Sequence, residues 1–345
     1  MKNVKPVKIG NLTLDGKHIH VQSMLNVPAN DIPGNVRQAV ELEKAGCEII
    51  RVSIPNESAL ELIPAIKKEI SVPLVADIHF DYRLALGSVE RGIDKIRINP
   101  GNIGDDEKVK AVADCCRARG IPIRIGVNSG SLEKDILNKY GAPTAEALCE
   151  SAMRHVRLLE KFDFPDIVIS IKSSDVPTNI SAYRLMRQIC DYPLHLGVTE
   201  AGTYNMGIIK SSIGIGSLLC DGIGETIRVS LTDDPVKEVE AGINILKAVG
   251  KRGGVKLVSC PTCGRTKIDL IGLAKRIEAA LAGVNKDITV AVMGCVVNGP
   301  GEAREADIGL AGGDGCAVLF KKDKILGKYP EAEAFEALLG EIDKL

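Results

Sequence analysis

The sequence predicts an α/β protein: a (β/α)8 TIM barrel followed by a small α+β domain. Three observations carry this prediction. A short β-branched run, a polar loop and an amphipathic helix recur along the first 250 residues. Several of the helical stretches stop at a glycine just before the next run, at Gly46, Gly92 and Gly120, the residue that tolerates the left-handed end of a helix. After a glycine-rich stretch near residue 251 the pattern changes to cysteine motifs and short, closely spaced strands. Eight βα units in about 250 residues are what a closed barrel requires. An open doubly wound sheet is the competing arrangement, since repetition alone does not prove closure.

Taken in order, the strands are predicted at 18–24, 48–54, 73–78, 95–99, 122–128, 166–173, 193–199 and 226–231. Between them lie helical stretches such as 36–45 and 106–119, with apolar positions three and four residues apart. The domains are therefore placed at 1–250 and 251–345, with 251–256 as a linker. The second is predicted to hold a helix over 267–282, strands at 288–293, 308–311 and 316–320, and a last helix from about 330. It is small enough for a metal to help hold it together.

Bulk composition excludes several classes. The 44 basic and 45 acidic residues leave a net charge of −1, so no global field favours nucleic acid or an acidic membrane. Aromatic residues make up 3% and tryptophan is absent, which removes the usual base-stacking platforms. No stretch reads as a signal peptide or spanning helix. Ten cysteines without a secretory signal suit a reducing cytoplasm.

Five strands carry a cation between aliphatic neighbours: Arg51, Arg97, Arg124, Lys172 and Arg228. Strand side chains alternate between faces, so if isoleucine and valine pack against the helices the cations point into the barrel. Asn99, Asn128, Ser53, Ser170 and Ser230 share that parity, with His79 and His195 beside them. A lone charged strand residue ordinarily faces solvent, but five at equivalent places call for an anionic ligand, and arginine suits phosphate oxygens. Asp77 and Glu200 are candidate counter-ions, and Glu200 at the end of the seventh strand is equally a candidate proton donor. Lys210, Ser211 and Ser212 are expected at the start of the next helix, where they would help hold phosphate.

The cysteine motif is the sharper signal. Cys260-Pro-Thr-Cys263 sets two thiolates to converge on one centre, and Cys295 supplies a third. The fourth position is open to Cys316, which would close a four-cysteine zinc or cluster site, or to Glu302, a harder ligand able to yield its place to substrate. Cys47, Cys115, Cys116, Cys149, Cys190 and Cys220 are expected to be core thiols.

The segments CPTCGRT, MGCVVNGPGEA, KIRINPGN, IRIGVNSGSL, GVTEAG and KSSIGIGSLLCDGIGETIRVSL together resemble the 4-hydroxy-3-methylbut-2-en-1-yl diphosphate synthase family, in its shorter two-domain bacterial form. The likeness runs across nearly the whole chain. It implies an iron–sulfur oxidoreductase of the non-mevalonate isoprenoid pathway, fed by ferredoxin or flavodoxin. It also implies a [4Fe-4S] cluster on Cys260, Cys263 and Cys295 with Glu302 as fourth ligand, and Cys316 left structural. The implied substrate is 2-C-methyl-D-erythritol 2,4-cyclodiphosphate, held by Arg51, Arg97, Asn99, Arg124, Asn128, Lys172, Arg228 and Ser230, with His79 and Glu200 nearby.

Chain order adds an expectation about assembly. The eighth barrel helix should end at the face opposite the strand C-termini, and a six-residue linker reaches only ~20 Å when extended. The small domain is therefore not expected at its own barrel's mouth. A head-to-tail homodimer with shared active sites follows. The alternative function is a phosphate-binding barrel enzyme with a structural zinc tail held by four cysteines and no redox step.

Overall fold

A computed structural model describes residues 4–284, 286–296, 305–322 and 324–345. Glu302 and most of the glycine-proline loop around it lie outside the described residues. The chain divides into two compact units, Met1–Lys251 and Arg252–Leu345.

The first unit opens with an antiparallel hairpin, β1 (Val7–Ile9) and β2 (Leu12–Leu14). Eight parallel strands follow: β3 (His20–Met24), β4 (Ile49–Ser53), β5 (Leu74–Asp77), β6 (Lys95–Ile98), β7 (Ile123–Asn128), β8 (Ile167–Lys172), β9 (His195–Leu196) and β10 (Thr226–Ile227). Their order is β8-β7-β6-β5-β4-β3-β10-β9. The two edges meet through a parallel bridge between Ile169 and Leu194, so the sheet closes into a barrel.

The last two strands are shorter than the sequence suggested. Past Leu196 the chain turns through Gly197 to Glu200, whose φ of 51° lies in the left-handed region. Bonds from the Arg228 N–H to the Leu196 carbonyl and from the Thr199 N–H to the Ser173 carbonyl continue the pairing beyond the strands. Gly46, Gly92 and Gly120 have φ of 93°, 80° and 63°, as expected of helix C-termini.

Alternation separates two environments. Ile50, Val52, Ala76, Ile96, Ile98, Ile123, Ile125, Ile169 and Ile171 face outward into the main core with the helices. Ile49, Val75 and Val168 have the opposite parity and pack with Val7, Ile9 and Leu14 of the hairpin. The hairpin, which the periodicity did not announce, thus plugs the barrel floor. Each side chain buried there contributes about 1.5–3 kcal/mol. Barrel interiors are usually filled with branched aliphatics; above this floor, polar and charged side chains take their place.

The second unit is a five-stranded sheet, β11 (Lys256–Ser259), β12 (Thr289–Met293), β13 (Ile308–Gly313), β14 (Cys316–Lys321) and β15 (Lys324–Pro330), in sequential order. The β11-β12-β13 pairs are parallel and the last two antiparallel. Helices Leu270–Leu281 and Glu331–Asp343 share its core. Strands β11 and β15 were not foreseen: the end of the presumed linker enters the sheet, and β15 is charged and largely exposed.

Candidate functional site

The structure gathers the strand cations inside the barrel. In register, Asp77 faces Arg97 and Arg97 faces Arg124 across β5, β6 and β7. Two arginines directly opposite one another repel. Asp77 answers part of this charge, lying 3.2 Å from Arg97 and 3.5 Å from Arg51. Burial alone would raise the Asp77 carboxyl, but Arg51, the His79 hydrogen bond and Arg97 together hold it well below the usual range. Burial, partly offset by Asp77 and reinforced by Arg228 and Arg97, brings Arg51 down to about 10.

The remaining cations differ in how they are compensated. Arg228 donates to both oxygens of Glu238, at 3.2–3.3 Å. That carboxylate, rather than Glu200, is its counter-ion. Arg124 is 1% exposed, and among the described residues its Nη1 reaches only the Gln22 amide oxygen, at 3.5 Å. Its Nε has no partner among the described residues. Lys172 meets the His195 imidazole at 3.3 Å, and His195 in turn meets the Thr226 hydroxyl at 2.8 Å. Lys95, two residues before Arg97 and wholly buried, has an Nζ without a partner among the described residues. Burial first, and then the neighbouring cations, push Arg124, Lys95 and Lys172 well below their ordinary values. His195 is lowered by the same two causes.

Two glycines make room for this crowd. A Cβ on Gly126 would lie 2.4 Å from Arg97 Nε, and one on Gly197 would lie 2.7 Å from Lys172 Nζ. Asn99 is buried in the same interior, while Asn128 and Ser230 are half-buried at the mouth. His79 is half exposed, and its Nε2–H donates to the Asp77 carboxylate at 3.1 Å. Glu200 is exposed. Lys210, Ser211 and Ser212 do not start a helix, since that helix runs Tyr204–Cys220. Ser211 is instead a wholly buried residue whose hydroxyl has no partner among the described residues.

Sequence reading missed Lys95, Gln22 and Glu238. Lys95 shares the parity of Arg97 and was legible by that rule. Glu238 was not, because its pairing with Arg228 joins a helix to a strand end.

In the second unit, parallel register does the placing. Ser259 pairs with Val292, so Cys260 and Cys295 both emerge at C-terminal ends of neighbouring strands. The Gly294 N–H donates to Cys260 Sγ at 3.2 Å. The Thr266 hydroxyl accepts from the Cys263 N–H at 3.2 Å, and the Lys267 N–H bonds the Gly294 carbonyl at 2.9 Å. The Arg265 backbone, followed by its guanidinium, holds the exposed Cys263 thiol below its usual value.

No three of Cys260, Cys263, Cys295 and Cys316 bring their sulfurs within 4.8 Å of one another among the described residues. A single tetrahedral ion with ~2.3 Å bonds needs sulfurs about 3.8 Å apart. A cubane spreads its thiolates over different irons and does not require them that close, so this donor set is compatible with a cluster. Of the expected core thiols, Cys47, Cys116, Cys149 and Cys190 are buried. Burial pushes Cys47 and Cys149 up to about 12. Cys115 is only half-buried, and Cys220, the last residue of its helix, is exposed.

Fold and site together define a class: a (β/α)8 barrel with a cationic interior, continued by a small α+β unit carrying a cysteine constellation. The family model of the GcpE TIM-barrel domain matches residues 4–243, and that of the GcpE protein C-terminal domain matches 256–344. The 4-hydroxy-3-methylbut-2-en-1-yl diphosphate synthase (flavodoxin) of Caldanaerobacter subterraneus subsp. tengcongensis is 59% identical over 100% of this chain and 98% of its own. Its counterpart from Fusobacterium nucleatum is 56% identical over 98% and 96%. The chain belongs to the GcpE family, that of the 4-hydroxy-3-methylbut-2-en-1-yl diphosphate synthases, and is an enzyme of that type.

Among solved structures, dihydropteroate synthase from Stenotrophomonas maltophilia aligns with a TM-score of 0.53 at 14% identity, covering 71% of this chain and 98% of its own. The Yersinia pestis enzyme gives 0.52 at 15%, covering 72% and 99%. At such identity the likeness shows the barrel fold alone. No helix among the described residues is long and apolar enough to cross a membrane.

Proposed function

We propose that the chain reduces 2-C-methyl-D-erythritol 2,4-cyclodiphosphate by two electrons, opening the ring and releasing a hydroxyl as water to give (E)-4-hydroxy-3-methylbut-2-enyl diphosphate. The observation that carries this reading is the set of buried cations with no carboxylate in contact among the described residues: Arg124, Lys95 and Lys172 beside Arg51 and Arg97. Such charge is costly to bury alone and is relieved by a polyanion. The names of the relatives supply the diphosphate and the flavodoxin.

The roles follow from the contacts. Arg51, Arg97 and Arg124 donate to diphosphate oxygens and stabilise the charge that grows on the oxygen freed at ring opening. Asp77 orients the first two and Glu238 orients Arg228. Lys172, backed by His195, donates from the C-terminal end of β8 beside Asn128, its partner in register on β7, while Asn99, Ser230 and His79 line the rest of the mouth. A [4Fe-4S] cluster on Cys260, Cys263 and Cys295, with Glu302 as fourth ligand, supplies electrons one at a time when bound. The Gly294 N–H aimed at Cys260 Sγ is the hydrogen bond such a thiolate accepts.

Protein purified without oxygen should be brown, bleach in air, and carry about four iron and four sulfide per chain. Colourless protein with one zinc would overturn the redox reading in favour of a structural tail. Glu200, held with a left-handed φ at the mouth, is assigned as proton donor; strain of this kind is retained where function uses it. Glu200→Gln should lower turnover about 10²–10⁴-fold at saturating reductant with iron content unchanged. Full turnover would exclude that role.

The cytoplasm is the proposed compartment and a head-to-tail homodimer the proposed assembly. The helix Pro235–Ala248, about 21 Å long, returns the chain toward the barrel floor. A partner copy is the reading that brings a cluster to each mouth. Met206, Ile209 and Ile213 form an exposed apolar stripe on the helix Tyr204–Cys220, of the kind a subunit interface covers.

A further inference from the structure

A second donor cluster lies at the opposite end of the barrel from the strand C-termini. His18 and His20 stand two residues apart where the chain enters β3, their rings edge to face with centroids 4.6 Å apart. Glu48, immediately before β4, reaches both. Its Oε1 is 2.7 Å from His18 Nε2 and 3.3 Å from His20 Nδ1. Its Oε2 accepts from the Val21 N–H at 3.0 Å, which fixes the carboxylate. One donor atom from each of the three lies within 4.8 Å of the other two.

We propose that His18, His20 and Glu48 form a divalent-metal site of the two-histidine, one-carboxylate kind, taking zinc with a water in the fourth position. A tetrahedral ion with bonds of ~2.0–2.1 Å sets its donors about 3.3 Å apart. The His20–Glu48 pair already has that separation, the His18–Glu48 pair is about 0.6 Å inside it, and the two imidazoles offer nitrogens within 4.8 Å of each other, so small ring adjustments complete the geometry. The His18 side chain is 51% exposed, which leaves the open position to solvent, whereas that of His20 is 7% exposed and firmly held. Two imidazoles and one carboxylate suit a borderline ion such as zinc rather than magnesium or calcium, which prefer all-oxygen sets.

The tautomer does not oppose binding. His20 Nε2 is buried without a partner among the described residues whichever ring nitrogen carries the proton, so turning the Nδ1 lone pair toward an ion adds no new orphan. The competing state is a hydrogen-bonded trio in which protons occupy the ion's place. The site would clamp the segment before β3 to the start of β4. No cysteine takes part, and none of the cations of the barrel interior does.

Zinc chloride titrated calorimetrically into the anaerobically purified, cluster-loaded protein tests this. The native chain should take up one equivalent, with a rise in Tm and no change in cluster absorbance. His18→Gln keeps a hydrogen-bond donor for Glu48 but is a poor ligand. It should fold and turn over normally while losing zinc affinity by at least about 100-fold, more than an outer-sphere partner is worth. Equal zinc uptake by the native and His18→Gln proteins would overturn the proposal. So would the native protein taking up none, which would leave the trio as hydrogen bonds alone. His18→Ala gives the same readout without the hydrogen bond, so a fall in Tm in that variant alone separates the two states of the trio.

Discussion

Arg124→Met is expected to yield a protein that is more stable and far less active. Arg124 is wholly enclosed, makes a single long bond, to Gln22, among the described residues, and faces Arg97 across the sheet. Methionine fills a similar elongated volume without charge. Replacing a poorly compensated buried ion by a hydrophobe is worth about 1–4 kcal/mol. At about 2–4 °C of Tm per kcal/mol for a domain of this size, the rise is measurable by thermal unfolding. Losing one donor to a developing oxyanion should reduce kcat/KM by about 10²–10³.

Inorganic diphosphate sharpens the test, because a ligand that binds only the folded state raises Tm by mass action. It should stabilise the native protein much more than Arg124→Met. A variant that is destabilised, fully active and equally protected by diphosphate would show that Arg124 is a structural residue. The expected trade of stability for activity is the signature of charge stored for a ligand.

The barrel's interior was legible because strand alternation is local. Isoleucine on either side of an arginine says which way the arginine points once helices cover the outer face, and the core lies where those isoleucines required. Partner choice is not local. Asp77 serves Arg51 and Arg97 because β4, β5 and β6 stand in one register. Glu238 serves Arg228 because the helix Pro235–Ala248 packs back on β3, where its carboxylate also holds Ser23. Neither contact has a sequence pattern. The floor hairpin escaped notice for a related reason: strands of three residues are too short to show a period. In the cysteine unit, spacing pointed to Cys260, Cys263 and Cys295, but only the β11-β12 register explains why Cys260 and Cys295 emerge at the ends of neighbouring strands.

Mixing two inactive variants is expected to restore activity if the active site is shared between copies. Cys263→Ser removes a thiolate from the cluster site and leaves the barrel intact. Arg124→Met disables the barrel and leaves the cysteines intact. In a head-to-tail pair of one copy each, the intact barrel of the first faces the intact cysteines of the second. The other site of that pair carries both defects. Random association of equal amounts makes half of the dimers mixed, each with one working site of two, so recovery should approach about a quarter of native activity. The measurement is turnover after co-expression with different affinity tags and isolation of the doubly tagged species, which should reach about half. If barrel and cysteines of the same chain formed the site, every site would contain one defect in any mixture, and activity would stay at the level of the separate variants. The two arrangements therefore differ by the whole of the recovered signal; recovery of the doubly tagged species shows that pairing occurred, and its iron content, expected at half the native value, shows one loaded chain per dimer.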